Sequence, residues 1–226
     1  MRESRWLPFL KIKPRNDYVS RLFLYICTLS FIMYTVRNIL IWLRRSRHSL
    51  GFGVQSPFAF NFITDVVNEH YPYYSYNRLN DTFPLLNKKN GKLSKLYFRL
   101  ANYCQPKCVL NFYPESDAYS DYIRAGCSKS SIITITDESD ELNIFRVDMV
   151  IMSLDANYEE FFYSLLDKIT IDSLVVIQGI KQNKKAKKFW KKVIDDDRVG
   201  ITFDLYYAGI VFFNKERFKQ NYIVNF

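Results

Sequence analysis

From residue 51 onward the apolar positions follow two different spacings, and the change between them divides the chain. Helical spacing comes first. Ser56-Pro57 reads as an N-cap followed by proline at the first helical position, and Phe58, Phe62, Ile63 and Val66 then form one apolar stripe. Tyr71-Pro72-Tyr73-Tyr74 breaks that helix. Residues 75–91 read as a loop, with a short helix in it, that ends at Asn90-Gly91, and Leu93 to Tyr103 as a second helix with Leu93, Leu96, Tyr97 and Leu100 on one face. Beyond Pro106 short apolar runs alternate with helical ones. Strands are predicted at Cys108–Phe112, Ser131–Thr136, Val147–Leu154 and Leu174–Ile177, the last inside a continuous apolar run of the kind buried parallel strands show. Helices are predicted at Tyr119–Ala125, Glu159–Leu166 and Lys184–Ile194, the last with Ala186, Phe189, Trp190, Val193 and Ile194 inward and its lysines outward. Two strands, Val199–Tyr206 and Gly209–Phe213, close the chain around a tight turn at Ala208-Gly209. This order predicts an α/β domain with a mostly parallel sheet of about six strands and a C-terminal antiparallel hairpin.

The chain before residue 51 follows neither rule. Leu22 to Val36 carries no charge, Arg37 and Asn38 interrupt it, and Ile39 to Leu43 is apolar again before Arg44, Arg45 and Arg47. A membrane span needs about 20 apolar residues, so the uncharged part is short and the whole of Leu22–Leu43 carries an arginine near one end. Three readings stay open: a helix on a membrane surface or a partner, a single span, and a helix folded back on the domain. The expected division is a basic, apolar appendage over 1–48 and one domain over 49–226.

Charge sharpens that division. The net charge is +9, yet residues 1–50 contribute +8 and the run Lys181–Lys192, with seven lysines and no acid, contributes +7. The remainder is therefore acidic, and two local segments make the chain basic, which suits an anionic partner such as phospholipid or nucleic acid. Four cysteines and two histidines supply no zinc pattern: Cys104 and Cys108 flank Pro106, and neither His48 nor His70 joins a ligand motif. No metal is expected, and free thiols in a reducing, cytoplasmic setting are. The high aromatic share, 17%, reads as core filling.

Particular segments resemble a known family. Gly53-Val54-Gln55-Ser56-Pro57-Phe58 is similar to the HSPF-type entry of a bacterial group of class I S-adenosylmethionine-dependent methyltransferases. Asp204 to Phe213, DLYYAGIVFF, looks like that group's closing hairpin, and Leu174–Gly179 sits where its fifth strand would. The resemblance covers about residues 39 to 226. It implies a Rossmann-like methyltransferase fold, S-adenosylmethionine as cofactor, and methyl transfer as the activity if the site works.

The departures bear on that activity. The family's first strand runs into E-x-G-x-x-x-G, whose glycines let the backbone approach the cofactor. Here Asn111 stands at the acidic position and Tyr113 and Asp117 at the glycines. The acid that would hold the ribose hydroxyls is replaced by Thr136, with Asp137 one residue later. Only about ten residues separate Asp137 from Val147, too few for the family's next helix and third strand. Asp155-Ala156-Asn157-Tyr158 resembles the family's D-G-N-H after the fourth strand, and Gln178-Gly179 replace paired aspartates after the fifth. The resemblance thus makes Asn111, Tyr113, Asp117, Asp137 and Asp155 the cofactor-site positions, with Asp155 the catalytic candidate. The leading expectation is a pseudoenzyme: a methyltransferase-like binding or scaffold module with a degenerate cofactor motif, attached to the inner face of a membrane through its N-terminal segment. Two alternatives are an active methyltransferase with Asp137 on the ribose and Asp155 near the methyl acceptor, and a nucleic-acid-binding protein using the lysine-rich helix 181–192. For the last, no stacking aromatics share the lysine face, because Phe189 and Trp190 are needed inside.

Overall fold

The computed structural model describes residues 17–48, 53–136, 146–155 and 157–226. The chain divides into two compact units, Met1–Arg44 and Arg45–Phe226. Helix α1 (Asp17–Arg45) makes up the described part of the first, apart from its final residue. On it Leu22, Leu29, Ile32, Val36 and Ile39 are exposed. No helix among the described residues is long and apolar enough to cross a membrane, which sets the single-span reading of Leu22–Leu43 aside.

In the second unit, Ser56 caps α2 (Pro57–Phe62) by accepting from the Ala59 amide at 3.4 Å, and a π-helical turn over Ile63–Val67 continues it. Arg99 ends that turn. Its buried guanidinium donates to the Val66 and Val67 carbonyls at 2.6 and 3.0 Å, placing a cation on the negative end of the helix. Helices α3 (Tyr74–Thr82) and α4 (Pro84–Cys104) follow. Helix α4 starts nine residues earlier than the expected Leu93, with a non-helical Asn90 inside it. The loop expected over residues 75–91 is mostly helical, and Asn90-Gly91, where that loop was expected to end, is a kink between two helical stretches.

The sheet is built from β1 (Cys108–Phe112), β2 (Ser131–Ile135), β3 (Val147–Met152), β4 (Ile169–Gln178), β5 (Ile201–Asp204), β6 (Ala208–Phe212) and β7 (Gln220–Ile223), in the order β2-β1-β3-β4-β6-β5-β7. Every pairing is parallel except those of β6 with β4 and β5. Helices α5 (Ala118–Gly126), α6 (Tyr158–Leu165) and α7 (Lys184–Asp195) connect the strands. This is the Rossmann-like methyltransferase architecture that the resemblance implied. Among the described residues it holds seven strands rather than about six. The additional β7 pairs parallel with β5, Phe203 opposite Tyr222, and only Tyr222 of its four residues is buried. One inward side chain on an edge strand leaves almost no period-two signal in the sequence. At the other edge β2 has no outer neighbour among the described residues. The stretch 137–145 lies outside those residues.

Alternation along the strands splits the core into two layers. Val109, Met149, Ile151, Leu174 and Val176 pack with Phe62, Leu96, Tyr97 and Tyr119 on one face. Leu110, Val150, Met152, Val175 and Ile177 pack with Phe162, Phe189 and Trp190 on the other. Both faces are covered, which is why the central strands read as unbroken apolar runs. Where α4 crosses α5 the backbones come close: a Cβ at Gly126 would stand 2.2 Å from the Phe98 carbonyl oxygen. The hairpin turn is Tyr206-Tyr207 rather than the expected Ala208-Gly209. The Leu205 amide donates to the Ala208 carbonyl at 2.9 Å, and Tyr206 takes the positive φ of 71° that such a turn needs.

Asp204, at the end of β5, is buried and paired twice. Its carboxylate lies 3.1 Å from Arg45 Nη2 and 2.7 Å from Lys181 Nζ, and it also accepts from the Tyr206 amide at 2.9 Å. Arg45 donates further to the backbone carbonyls of Asp204 and Val224. A carboxylate taken out of water needs such compensation. Sequence separations of 159 and 179 residues hid the arrangement.

Candidate functional site at the strand order reversal

In an open parallel sheet the ligand crevice lies beyond the carboxyl ends of the strands where their order reverses. Here that point is between β1 and β3, since β1 leads to β2 on one side and to β3 on the other. The crevice is therefore bounded by Tyr113–Asp117 after β1 and Ser153–Asp155 after β3.

Tyr113 has φ 46°, in the left-handed region that favours glycine. The backbone bend that glycine would make is present, and a tyrosine makes it. Two interactions hold it there. The Tyr113 amide donates to the Ile135 carbonyl at 2.9 Å, extending the β1–β2 ladder by one bond. The Ser153 hydroxyl donates to the Tyr113 carbonyl at 2.6 Å, while the Ser153 amide donates to the Phe112 carbonyl at 3.1 Å. The Tyr113 ring meets Phe112 edge-on at 4.8 Å, and Phe112 is stacked on Phe161 of α6 at 3.7 Å. Aromatic side chains thus crowd the end of β1.

The other expected site residues divide. Asp155 is exposed and lies 3.1 Å from the Ser153 hydroxyl, so Tyr113, Ser153 and Asp155 form one group. Asn111 is buried and faces α5, its Nδ2 donating to the Ser120 hydroxyl at 3.2 Å, and its Oδ1 finds no partner among the described residues. Asp117 is exposed at the N-cap position of α5 and makes no side-chain capping bond. Asp137 lies outside the described residues. No group of three His, Cys, Asp or Glu side chains among the described residues is placed to hold a metal ion.

A second group was foreshadowed only by Gln178. Gln178 ends β4 where the resemblance places paired aspartates, and its Nε2 donates to the fully buried hydroxyl of Tyr97, 81 residues away. The Tyr97 ring stands edge-on to Tyr119 at 5.0 Å. Asn90, at the α4 kink, donates to the Tyr119 hydroxyl at 3.1 Å and to Glu115 at 2.8 Å. Burial pushes the Tyr97 phenol well above the ordinary range, and burial again, outweighing the Asn90 hydrogen bond, pushes Tyr119 up to about 12. Both are neutral phenols at neutral pH. The carboxyl ends of β1 and β4 on the α4 side thus carry amides, phenols and a single carboxylate, Glu115, where a hard cation needs several oxygen anions. The sequence marked this region through Gln178, at the position of the paired aspartates, but not through its partner Tyr97.

No family model matches the chain, and no curated protein does. Solved structures with a similar fold exist. A putative caffeoyl-CoA O-methyltransferase from Staphylococcus aureus is 11% identical, with a TM-score of 0.49 over 62% of this chain and 91% of its own. An O-methyltransferase from Bacillus cereus in complex with SAH is 10% identical, with a TM-score of 0.45 over 65% and 94%. The SAH-bound Podospora anserina methyltransferase PaMTH1 is 12% identical, with a TM-score of 0.45 over 73% and 97%. At such distances the function has to be argued from this chain's own residues, and among those described the single antiparallel strand β6 between β4 and β5 fits a Rossmann-like methyltransferase fold.

Proposed function

We propose that the domain is a methyltransferase-fold module that has given up methyl transfer and acts as a binding or scaffold module, held at the inner face of a membrane by the segment before residue 51. The observation that carries the reading is Tyr113. Its backbone keeps the left-handed bend of a cofactor loop, but a phenol ring projects from the position where the resemblance calls for glycine. Close approach of a ligand to that backbone requires the absence of a side chain. Support comes from Asn111, an amide at the acidic position whose Nδ2 donates to Ser120, and from Gln178, whose Nε2 donates to Tyr97. A polar cofactor buried there would lose hydrogen-bond partners at about 1–3 kcal/mol each. Membrane attachment is supported by the exposed apolar side chains along α1 and by Arg44 and Arg47 beyond them.

Titration calorimetry with S-adenosylmethionine tests the proposal. The expected dissociation constant is no tighter than about 1 mM, or about −4 kcal/mol. A micromolar constant overturns the proposal and favours an active enzyme, with Asp137 and Asp155 the first residues to substitute.

A further inference from the structure

The seven lysines of Lys181–Lys192 do not form one patch. Lys181 is turned to Asp204 at 2.7 Å and Lys192 to Glu159 at 2.8 Å. The other five, Lys184, Lys185, Lys187, Lys188 and Lys191, are exposed and make no ion pair among the described residues. Helix α7 buries Ala186, Phe189, Trp190 and Val193. At about 100° per residue, Lys184, Lys188 and Lys191 fall directly opposite that buried face, with Lys185 and Lys187 on its two shoulders. The structure therefore selects, from a run that the sequence shows as uniform, one continuous outward lysine face.

We propose that this face is a docking surface for anionic phospholipid headgroups. Folding alone gives no reason for it. Lys184 and Lys185 occupy the first turn of α7, where there is no acid, and so stand at the positive end of the helix dipole. Lys184 and Lys188, and Lys187 and Lys191, are like-charge pairs four residues apart, which disfavour the helix. The buried aromatics and the Asn183 cap, accepting from the Ala186 amide at 2.8 Å, hold the helix despite that repulsion. An anionic surface relieves it. Lysine is a point charge on a flexible stem, suited to a fluid field of headgroups, whereas bidentate recognition of individual phosphates uses arginine. The face offers no exposed ring on which a base could stack, since Phe189 and Trp190 are buried. The same chain presents exposed apolar residues on α1, and stable membrane attachment takes two signals, such as an apolar insertion plus a polybasic patch.

The lysine face stands independently of the cofactor-site reading and adds an electrostatic contact to attachment through α1. Flotation of the full chain with phosphatidylcholine vesicles, and with vesicles containing about 30% phosphatidylglycerol, tests it at about 0.1 M and about 0.5 M salt. The unmodified chain should partition at least about tenfold more strongly into the anionic vesicles at low salt and lose that preference at high salt. Replacing all five lysines by glutamine should abolish the preference and leave the melting temperature and phosphatidylcholine binding unchanged. If the fivefold variant unfolds, Lys184→Gln, Lys188→Gln and Lys191→Gln together serve, and at least half of the preference should go. An unmodified chain without anionic preference, or variants that retain it, overturns the proposal. So does displacement from anionic vesicles by an equal charge of single-stranded RNA, which would give the face to nucleic acid. Loss of phosphatidylcholine binding alone would count against α1 and not against the lysine face.

Discussion

Gly209 of β6 lies against the indole of Trp190 in α7: a Cβ at residue 209 would stand 2.4 Å from Cζ3 and 2.5 Å from Cη2 of that ring. Gly209 faces Ile177 in the β4–β6 ladder, and Trp190 is buried in the layer that covers this side of the sheet. The glycine that looked like a turn residue is therefore a packing residue. It lets the largest side chain of α7 sit directly on the sheet backbone. The lysine face is presented outward because the opposite side of the helix is held at this contact.

Gly209→Ala should destabilise the domain by about 1–3 kcal/mol, the usual cost of overpacking a filled core. Urea unfolding measures it. Combined with Trp190→Leu, which vacates the ring position, the two costs should fall short of additive, as contacting residues do. An alanine variant as stable as the unmodified chain would show that the helix shifts freely over the sheet.

Tyr113 offers a comparison that separates backbone from side chain. Tyr113→Gly and Tyr113→Ala remove the same ring from the edge of Phe112, but only glycine adopts φ 46° without strain. The glycine variant should be more stable than the alanine variant by about 1 kcal/mol. Equal stabilities in denaturant titration would mean that the bend relaxes once the ring is gone.

Stability should fall on the alkaline side. Burial pushes the Cys104 thiol up to about 12 and the Tyr119 phenol up to about 12. Below the ordinary thiol range both folded and unfolded chains hold these protons, and neither group affects folding. Above it the unfolded chain ionises first, so stability declines from about pH 8.5 toward pH 12. Cys104→Ala should flatten the earlier part of that decline, which chemical denaturation across the range would detect. A thiol reagent at pH 8 should modify exposed Cys27 well before Cys104.

Much of the architecture was determined by the sequence itself. Cys108–Phe112 was predicted at both of its observed ends, and Ser131–Ile135 and the α7 helix within a residue or two. Strands buried on both faces leave unbroken apolar runs, and a one-sided helix leaves a stripe, so local patterning suffices for them. Ser56-Pro57 marked its helix start because capping is a contact over three residues. The outward side of α7 followed from the same periodicity, but the pairing of Lys181 with Asp204 and Lys192 with Glu159, which sets the other five lysines apart, did not.

What the tertiary structure decided concerns partners far apart in the chain. The Tyr113–Ser153 bond spans 40 residues, Gln178–Tyr97 spans 81 and Arg45–Asp204 spans 159, and no spacing rule relates such pairs. The same distance explains β7, an edge strand that exists only because β5 offers it a ladder. It explains Gly209 too, whose neighbour is a ring from another helix. Sequence placed Tyr113 at a glycine position, but only the fold shows that the bend survived the substitution, because the ladder to Ile135 and the Ser153 hydroxyl hold it against the strain.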